Sequence, residues 1–202
     1  MAARKKGKKA PAKAKKSAAK PAKKPAPKPV KRAASAAAAA PNPWKAYADH
    51  LEREAATTAK IMRAFPAEHA AFQPHPRSTS AMRLFHTFAV EQGVALMCVN
   101  GALDLANAFS APPAASLGSA IDAFERTVAA VVAAARKAPA ARWAQPQPFF
   151  IGPKQMGQLP GGMIAETMLW DQIHHRGQLS VYLRMVGGRV PSIYGPSADE
   201  PW

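Results

Sequence analysis

The stretch of sequence that decides the fold runs from Met163 to Pro191 and reads MIAETMLWDQIHHRGQLSVYLRMVGGRVP. Its apolar residues recur every three or four positions, which predicts a long amphipathic helix. Two glycines and the closing proline end that pattern, because glycine suits a left-handed helix cap and proline cannot continue a helix. Asp171 and His175 share the side of this helix that its apolar residues predict to be buried.

Asp171 and His175 stand four residues apart, so their side chains lie one above the other on the predicted helix. A buried carboxylate costs several kcal/mol unless it is paired or bound to a metal ion. The pair therefore has two interpretations, either a hydrogen-bonded pair that holds the helix against a neighbour or two ligands of one metal ion. A third ligand on another helix would favour the metal site.

Three earlier segments show the same helical spacing of apolar residues, and each follows a residue type that caps helices well. The first helix is predicted from Pro43 to just before Pro66, and the second runs to about Asn107. The third helix is predicted from Leu117 to Ala135. The candidate caps are Asn42 for the first helix, Ser78 or Ser80 for the second and Ser116 for the third.

Residues 138–162 lie between the third and fourth predicted helices and are rich in proline and glycine. A segment of this length inside a compact domain is often a lid or a crossover connection. We find no run of alternating apolar and polar residues that predicts a strand. The sequence therefore predicts an all-α fold, a four-helix bundle with a long crossover before the last helix.

Residues 1–41 consist mostly of lysine, alanine and proline. They contain fourteen of the 28 Lys and Arg residues and none of the 12 Asp and Glu residues. Such a segment has little to bury and repels itself, so we predict a disordered basic tail followed by a folded domain over residues 42–202. Its composition resembles linker-histone-like tails and favours non-specific binding to nucleic acid through phosphate neutralisation. The alternative is a solubilising extension with weak affinity for polyanions.

The single cysteine, Cys98, excludes an intrachain disulfide framework and fits a reducing compartment. It lies in an apolar helical run, so we interpret it as a core residue. No apolar run approaches the roughly 18 residues of a membrane span, and the N-terminus lacks the apolar core of a secretory signal. We therefore predict a soluble, cytoplasmic protein without a membrane partner.

Two motifs together resemble a known family. The run WDQIHHRGQLSVYLRMVGGRVPSIYGPSADEP, residues 170–201, is similar to the C-terminal signature of the DinB family, the DinB/YfiT-like metalloenzymes. The segment STSAMRLFHTFAVEQ, residues 78–92, resembles the family's second-helix motif around its first metal-binding histidine. The resemblance covers about residues 42–200 and is strongest in the last forty, and the basic tail lies outside it.

The resemblance implies a four-helix bundle that holds a divalent metal ion between its helices, commonly through three histidines. Matched to the family's motifs, His86 corresponds to the ligand on the second helix and His175 to the last ligand. Asp171 stands where the family has its other histidine on the last helix, which is a departure from the pattern. Two histidines and a carboxylate suit nickel, zinc, iron or manganese. The family's HxxxHRGQ spacing favours His175 over its neighbour His174.

The resemblance further implies a homodimer and a metal-dependent enzyme, a transferase (in particular a thiol-dependent one) or a hydrolase that acts on a small molecule in stress response or detoxification. Glu91 and Tyr182 are candidate helpers at the site. Arg176 is predicted to point away from the buried stripe, as an ion-pair or surface residue, and Gly177 to pack closely against another helix. The alternative function is a non-catalytic bundle, a sensor or dimerisation module that residues 1–41 tether to DNA.

Overall fold

The computed structural model describes residues 40–202, so the predicted disorder and nucleic-acid binding of the basic tail lie outside the described residues. The described part is mostly helical, with one small sheet of two strands. Among these residues, no helix is both long and apolar enough to cross a membrane. The elements in chain order are α1 (Pro43–Ala64), α2 (Ala81–Asn100), α3 (Leu105–Ala108), α4 (Leu117–Lys137), β1 (Pro146–Gly152), β2 (Gln155–Pro160) and α5 (Gly161–Met185).

The starts of the long helices follow the local chemistry of the sequence. The side chain of Asn42 accepts a hydrogen bond from the backbone N–H of Trp44 and caps α1, with a proline at the first helical position. Ser80 caps α2 in the same way. Ser116 and Ser119 cap α4 reciprocally, each side chain accepting from the other residue's backbone N–H. These contacts confirm the predicted caps and select Ser80 over Ser78.

Four long helices share one apolar core. α2 packs against α4 and α5, and α1 packs against the same two helices. Large, fully buried side chains come from all four of them: Trp44 and Leu51 from α1, Phe85 and Phe88 from α2, Phe124 from α4, and Ile164, Leu169 and Leu179 from α5. This packing places α2 and α5 side by side, and the candidate site lies between them.

The crossover contains a β-hairpin, so the expectation of a chain without strands is wrong over this segment. β1 and β2 pair antiparallel, with Phe150 opposite Met156. The side chain of Gln147 on β1 is buried, where it accepts a hydrogen bond from the backbone N–H of Leu103 and donates one to the carbonyl of Cys98. A buried glutamine in a proline-rich strand gives no alternating apolar pattern, which explains why the sequence did not predict the hairpin.

The second helix ends earlier than predicted. α2 stops at Asn100 because Gly101 adopts a left-handed conformation with φ of 73° and caps the helix. Asp104 then caps the short helix α3, its side chain accepting from the N–H groups of Ala106 and Asn107. The segment between α2 and α4 is therefore a folded connection, and its residue Phe109 lines the pocket at the candidate site.

Candidate metal centre

Three side chains that can ligate a metal meet between α2 and α5. One ligand atom from each of Glu91, Asp171 and His175 lies within 4.8 Å of the other two. Glu91 Oε1 on α2 is 2.6 Å from Nδ1 of His175 on α5, and the same Nδ1 is 3.8 Å from Asp171 Oδ1. The i, i+4 spacing on α5 and the packing of α2 against it thus place two carboxylates around one imidazole.

The three residues form a gradient from the interior to the surface. Glu91 is only 4% exposed, the side chain of His175 is 20% exposed, and that of Asp171 is 47% exposed. The sequence predicted that Asp171 is buried, but its side chain is half-exposed, because its carboxylate lies at the rim of the site. The arrangement has a buried anchor at Glu91 and an open side at Asp171.

The electrostatics of the buried pair favour a retained proton. Burial raises the pKa of Glu91 to about 7, against the opposing effect of its hydrogen bond with His175. That hydrogen bond raises the pKa of His175, and burial partly opposes the change. Both shifts make the pair hold a proton more tightly than two isolated groups would. A metal ion that binds both side chains must displace this proton.

Glu91 has one buried oxygen that a bound cation would satisfy. Its second carboxylate oxygen, Oε2, is buried and has no hydrogen-bond partner within the part of the chain that the structure describes. Leaving a buried acceptor unpaired is costly, and a bound cation would satisfy it. Two carboxylates and one imidazole are also a suitable donor set for a divalent transition metal. The residues present therefore fit a metal ion.

His86 lines the pocket at this site but lies outside the cluster of three. The pocket has a volume of about 350 Å³. Its wall combines polar and apolar side chains: Arg83, His86, Thr87, Val90, Glu91, Phe109, Phe149, Met168 and Asp171. The structure thus brings Asp171 and His175 together with Glu91, and it places His86 nearby on α2. The assignment of His86, Asp171 and His175 as metal ligands stays a prediction.

Comparison with known proteins identifies the family. The family model described as the DinB superfamily matches residues 50–179, which include α2 and most of α5. The chain belongs to the DinB superfamily. The matched residues contain all four candidate ligands, so the site lies within the DinB domain itself.

Two solved DinB-like structures share this fold. A DinB-like protein from Bacillus cereus ATCC 10987 superposes with a TM-score of 0.59 at 20% identity, covering 73% of this chain and 95% of that chain. The DinB-like protein YjoA from Bacillus subtilis gives the same TM-score at 17% identity, covering 73% and 97%. At these identities the likeness concerns the fold alone. The uncharacterised protein YrdA of Bacillus subtilis strain 168 is 44% identical over 43 residues, only 21% of this chain and 26% of that protein.

Three buried polar side chains form a row of hydrogen bonds next to the candidate site. Gln92 Nε2 on α2 donates to Gln172 Oε1 on α5 over 2.7 Å, and Gln172 Nε2 donates to Thr58 Oγ1 on α1 over 2.9 Å. Gln92 and Gln172 directly follow Glu91 and Asp171 in the sequence. These two hydrogen bonds link α1, α2 and α5 at the level of the site.

Arg176 does not serve as a surface residue, which corrects the sequence-based prediction. Its side chain is fully buried, and Nη1 donates to Glu54 Oε2 over 2.8 Å. Nη2 donates to the hydroxyl of Tyr194 in the C-terminal segment, and that hydroxyl donates to Glu54 Oε2 over 2.6 Å. The prediction of an ion pair is right, but it is a buried pair that ties α5, α1 and the C-terminal segment together.

The other residues singled out in the last helix lie apart from the site. His174 is exposed and bonds to Gln178, and the hydroxyl of Tyr182 donates to the carbonyl of Thr79. A Cβ added to Gly177 would meet no described atom within 4 Å, so the prediction of close helix packing at Gly177 is wrong. The close approach occurs instead at Gly162, where a Cβ would lie 2.1 Å from the ring of Trp143.

Sequence reasoning noted Glu91 only as a helper, although the pattern on α2 held a stronger signal. Glu91 lies three residues after Phe88 and four before Ala95, both of which are buried. That spacing places the carboxylate on the core-facing stripe of its helix. A carboxylate on such a stripe needs a partner, which is the argument that singled out Asp171 on α5.

Proposed function

We propose that this DinB-superfamily chain binds one divalent metal ion between α2 and α5 of a four-helix bundle formed by α1, α2, α4 and α5. Glu91, Asp171 and His175 hold the ion, and His86 is a further ligand from α2. The observation that carries the proposal is the buried and unpartnered Oε2 atom of Glu91 beside the cluster. The metal is nickel, zinc, iron or manganese, the ions that suit nitrogen and oxygen ligands.

The proposed activity is metal-dependent transfer, for example to a thiol, or hydrolysis of a small molecule in stress response or detoxification. A bound divalent ion supplies a Lewis acid that lowers the pKa of a water or thiol held in an open position. Glu91 and His175 anchor the ion from the buried side and give up the proton that they hold between them. Asp171 stands at the solvent side, where substrates enter.

The shape of the pocket supports this class of function. Its volume of about 350 Å³ lies in the range of small-molecule sites, roughly 300–1,000 Å³. Phe149 from the hairpin and Met168 from α5 form apolar walls beside the two carboxylates. Such walls exclude water and strengthen electrostatic interactions at the cluster.

The test is metal binding to the full-length protein. Chelator-treated protein is titrated with each of the four ions by calorimetry, and bound metal is counted by elemental analysis. We expect one ion per chain, with an affinity that falls at least about tenfold in Glu91→Gln and in His175→Gln. His86→Gln is expected to cause a smaller loss, because His86 lies outside the cluster of three. His174→Gln, next to His175 but exposed, is the matched control and should bind like the wild type.

Absence of metal from the wild type with every ion would refute this proposal. Equal affinities of the wild type, Glu91→Gln and His175→Gln would refute it as well, since the ion would then bind elsewhere.

A second function rests on the charge of the N-terminal segment. Residues 1–41 carry fourteen basic and no acidic residues, so we propose that they bind nucleic acid through its phosphates without sequence preference. The test compares the full chain with a variant that lacks residues 1–41, using fluorescence anisotropy on duplex DNA. Binding should weaken steeply with salt in the full chain and vanish in the truncated one, while metal binding persists in both. Equal DNA binding by the two proteins would refute it.

A further inference from the structure

A second cavity lies directly beside the pocket of the candidate metal centre. It has a volume of about 500 Å³ and is bounded by α2, α4 and the connection between α3 and α4. His86 and Val90 on α2 line both cavities. The two cavities are therefore adjacent at these residues.

The second cavity differs from the first in its chemistry. None of the described residues that line it is Asp, Glu, Lys or Arg. The lining is dominated by small and apolar side chains, among them Ala89, Met97, Ala108, Pro112, Ala120 and Ala123. A groove of similar volume between α1 and α4 is different, since Glu52, Arg63, Glu125 and Arg136 lie along it. The uncharged cavity is the one that adjoins the metal centre.

Gly93 leaves room in the wall of the second cavity. It lines this cavity on α2, and a Cβ built on it would meet no described atom within 4 Å. Glycine in the middle of a helix lowers stability by roughly 0.5–1 kcal/mol relative to alanine. Here no neighbouring helix approaches closely enough to require glycine. The missing side chain leaves cavity space open.

We propose that the two cavities form one binding site for a small molecule with two parts, an apolar alkyl or aryl group and a polar head that ligates metal. The apolar group lies in the cavity along Gly93, and the head lies at Glu91, Asp171 and His175. His86 and Val90 form the wall at the junction and select for length and shape. This inference rests on the proposed function, because the head requires the metal centre.

The test uses metal-loaded full-length protein and two probes with the same head, acetohydroxamate and octanohydroxamate. Calorimetry measures the affinity of each. Burial of an apolar chain should tighten binding by roughly threefold for each methylene that enters the cavity. Octanohydroxamate should therefore bind more than about a hundredfold tighter than acetohydroxamate. Binding without metal should be weak for acetohydroxamate.

Gly93→Leu is the decisive variant, because its side chain would occupy the second cavity. We expect it to remove most of the advantage of octanohydroxamate while leaving the affinity for acetohydroxamate unchanged. Gly177→Leu is the matched control, since Gly177 is also a helical glycine with open space at its Cβ, but on an exposed part of α5. It should bind both probes like the wild type. Gly93→Ala fills less of the cavity and should give an intermediate loss.

The outcomes separate the two proposals. Failure of the wild type to bind a metal ion would overturn the metal centre, and with it the two-part ligand. Failure of the metal-loaded wild type to bind acetohydroxamate would overturn the two-part ligand alone. Binding of acetohydroxamate with no gain for octanohydroxamate would overturn the two-part ligand alone. The affinity advantage of octanohydroxamate over acetohydroxamate could also be equal in the wild type, Gly93→Ala and Gly93→Leu. The alkyl chain would then bind outside the second cavity, and the two-part ligand would be overturned. Unchanged binding of acetohydroxamate shows that a variant has kept its fold.

Discussion

Glu91 Oε1 and His175 Nδ1 lie 2.6 Å apart, although 84 positions separate the two residues in the chain. The contact joins α2 to α5 and forms the buried part of the candidate metal centre. Gln92 directly follows Glu91, and Gln172 directly follows Asp171. These two glutamines make a second buried contact between the same helices. The geometry of the site therefore depends on the register in which α2 packs against α5.

Gln172 is predicted to hold that register. Gln172→Met keeps much of the side-chain volume but removes the bonds to Gln92 and Thr58, which leaves two buried polar groups with fewer partners. We expect a loss of about 1–3 kcal/mol in the free energy of unfolding, measured with urea. Gln178→Met, on the same helix and bonded only to exposed His174, is the control and should change stability little. Equal losses in both variants would show that the buried hydrogen bonds have no special role.

Substitution of the buried Arg176 is predicted to lower the free energy of unfolding strongly. Arg176→Met leaves the buried carboxylate of Glu54 without its cation, and breaking a buried pair in this way costs about 3–5 kcal/mol. Arg53→Met changes an exposed arginine on α1 and should stay within about 0.5 kcal/mol of the wild type. Urea unfolding of both variants checks the prediction. A change below about 1 kcal/mol in Arg176→Met would contradict the buried role of the pair.

Glu54 makes stability depend on pH. Burial by itself raises its pKa, but the hydrogen bonds from Tyr194 and Arg176 together lower the pKa below the ordinary value of 4.5. The unfolded chain then takes up the proton at a higher pH than the folded chain does. The stabilisation is therefore present above the unfolded pKa and is lost as the pH falls through the folded pKa.

The measurement is urea unfolding at pH 6 and at about pH 3, for the wild type and Glu54→Gln. The stability advantage of the wild type over Glu54→Gln should be large at pH 6 and should shrink at the lower pH. Glu52→Gln, two residues away and exposed, is the control. An advantage of the wild type over Glu54→Gln that stays constant between the two pH values would contradict the lowered pKa.

Two glycines of α5 are predicted to respond in opposite directions to alanine. Gly177→Ala adds a methyl group in open space and removes a helix-weakening glycine, so we expect stabilisation of about 0.5–1 kcal/mol. Gly162→Ala would place the methyl group 2.1 Å from the ring of Trp143, which packs edge-on against Trp44. We expect that variant to be destabilised. The midpoint of thermal unfolding is measured for both variants. A higher midpoint for Gly162→Ala than for Gly177→Ala would show that the ring of Trp143 moves away without cost.

Local sequence determines where three of the long helices begin. Asn42, Ser80 and Ser116 cap because a short polar side chain satisfies backbone N–H groups within a few residues, and that chemistry requires no knowledge of the rest of the chain. The apolar spacing likewise predicts the long helices. Gly101 ends α2 by the same kind of local chemistry, and the predicted end near Asn107 lies beyond this glycine.

The residues that meet across helices depend on packing instead. Asp171 and His175 share one helix, so their proximity follows from their spacing. Glu91 joins them, and His86 stays outside the cluster, because of how α2 packs against α5. The buried side chain of Gln147 likewise joins the hairpin to Cys98 and Leu103, which lie 49 and 44 positions away in the chain.

The sequence alone therefore predicted the four long helices, the N-caps of three of them, the basic N-terminal segment and two members of the candidate site, because each depends on neighbours a few positions away. The packed structure was needed to select Glu91 as the third member and to bury Arg176 against Glu54. Such contacts are set by the register of helices distant in the chain, and a one-turn shift between them would leave the local sequence signals unchanged.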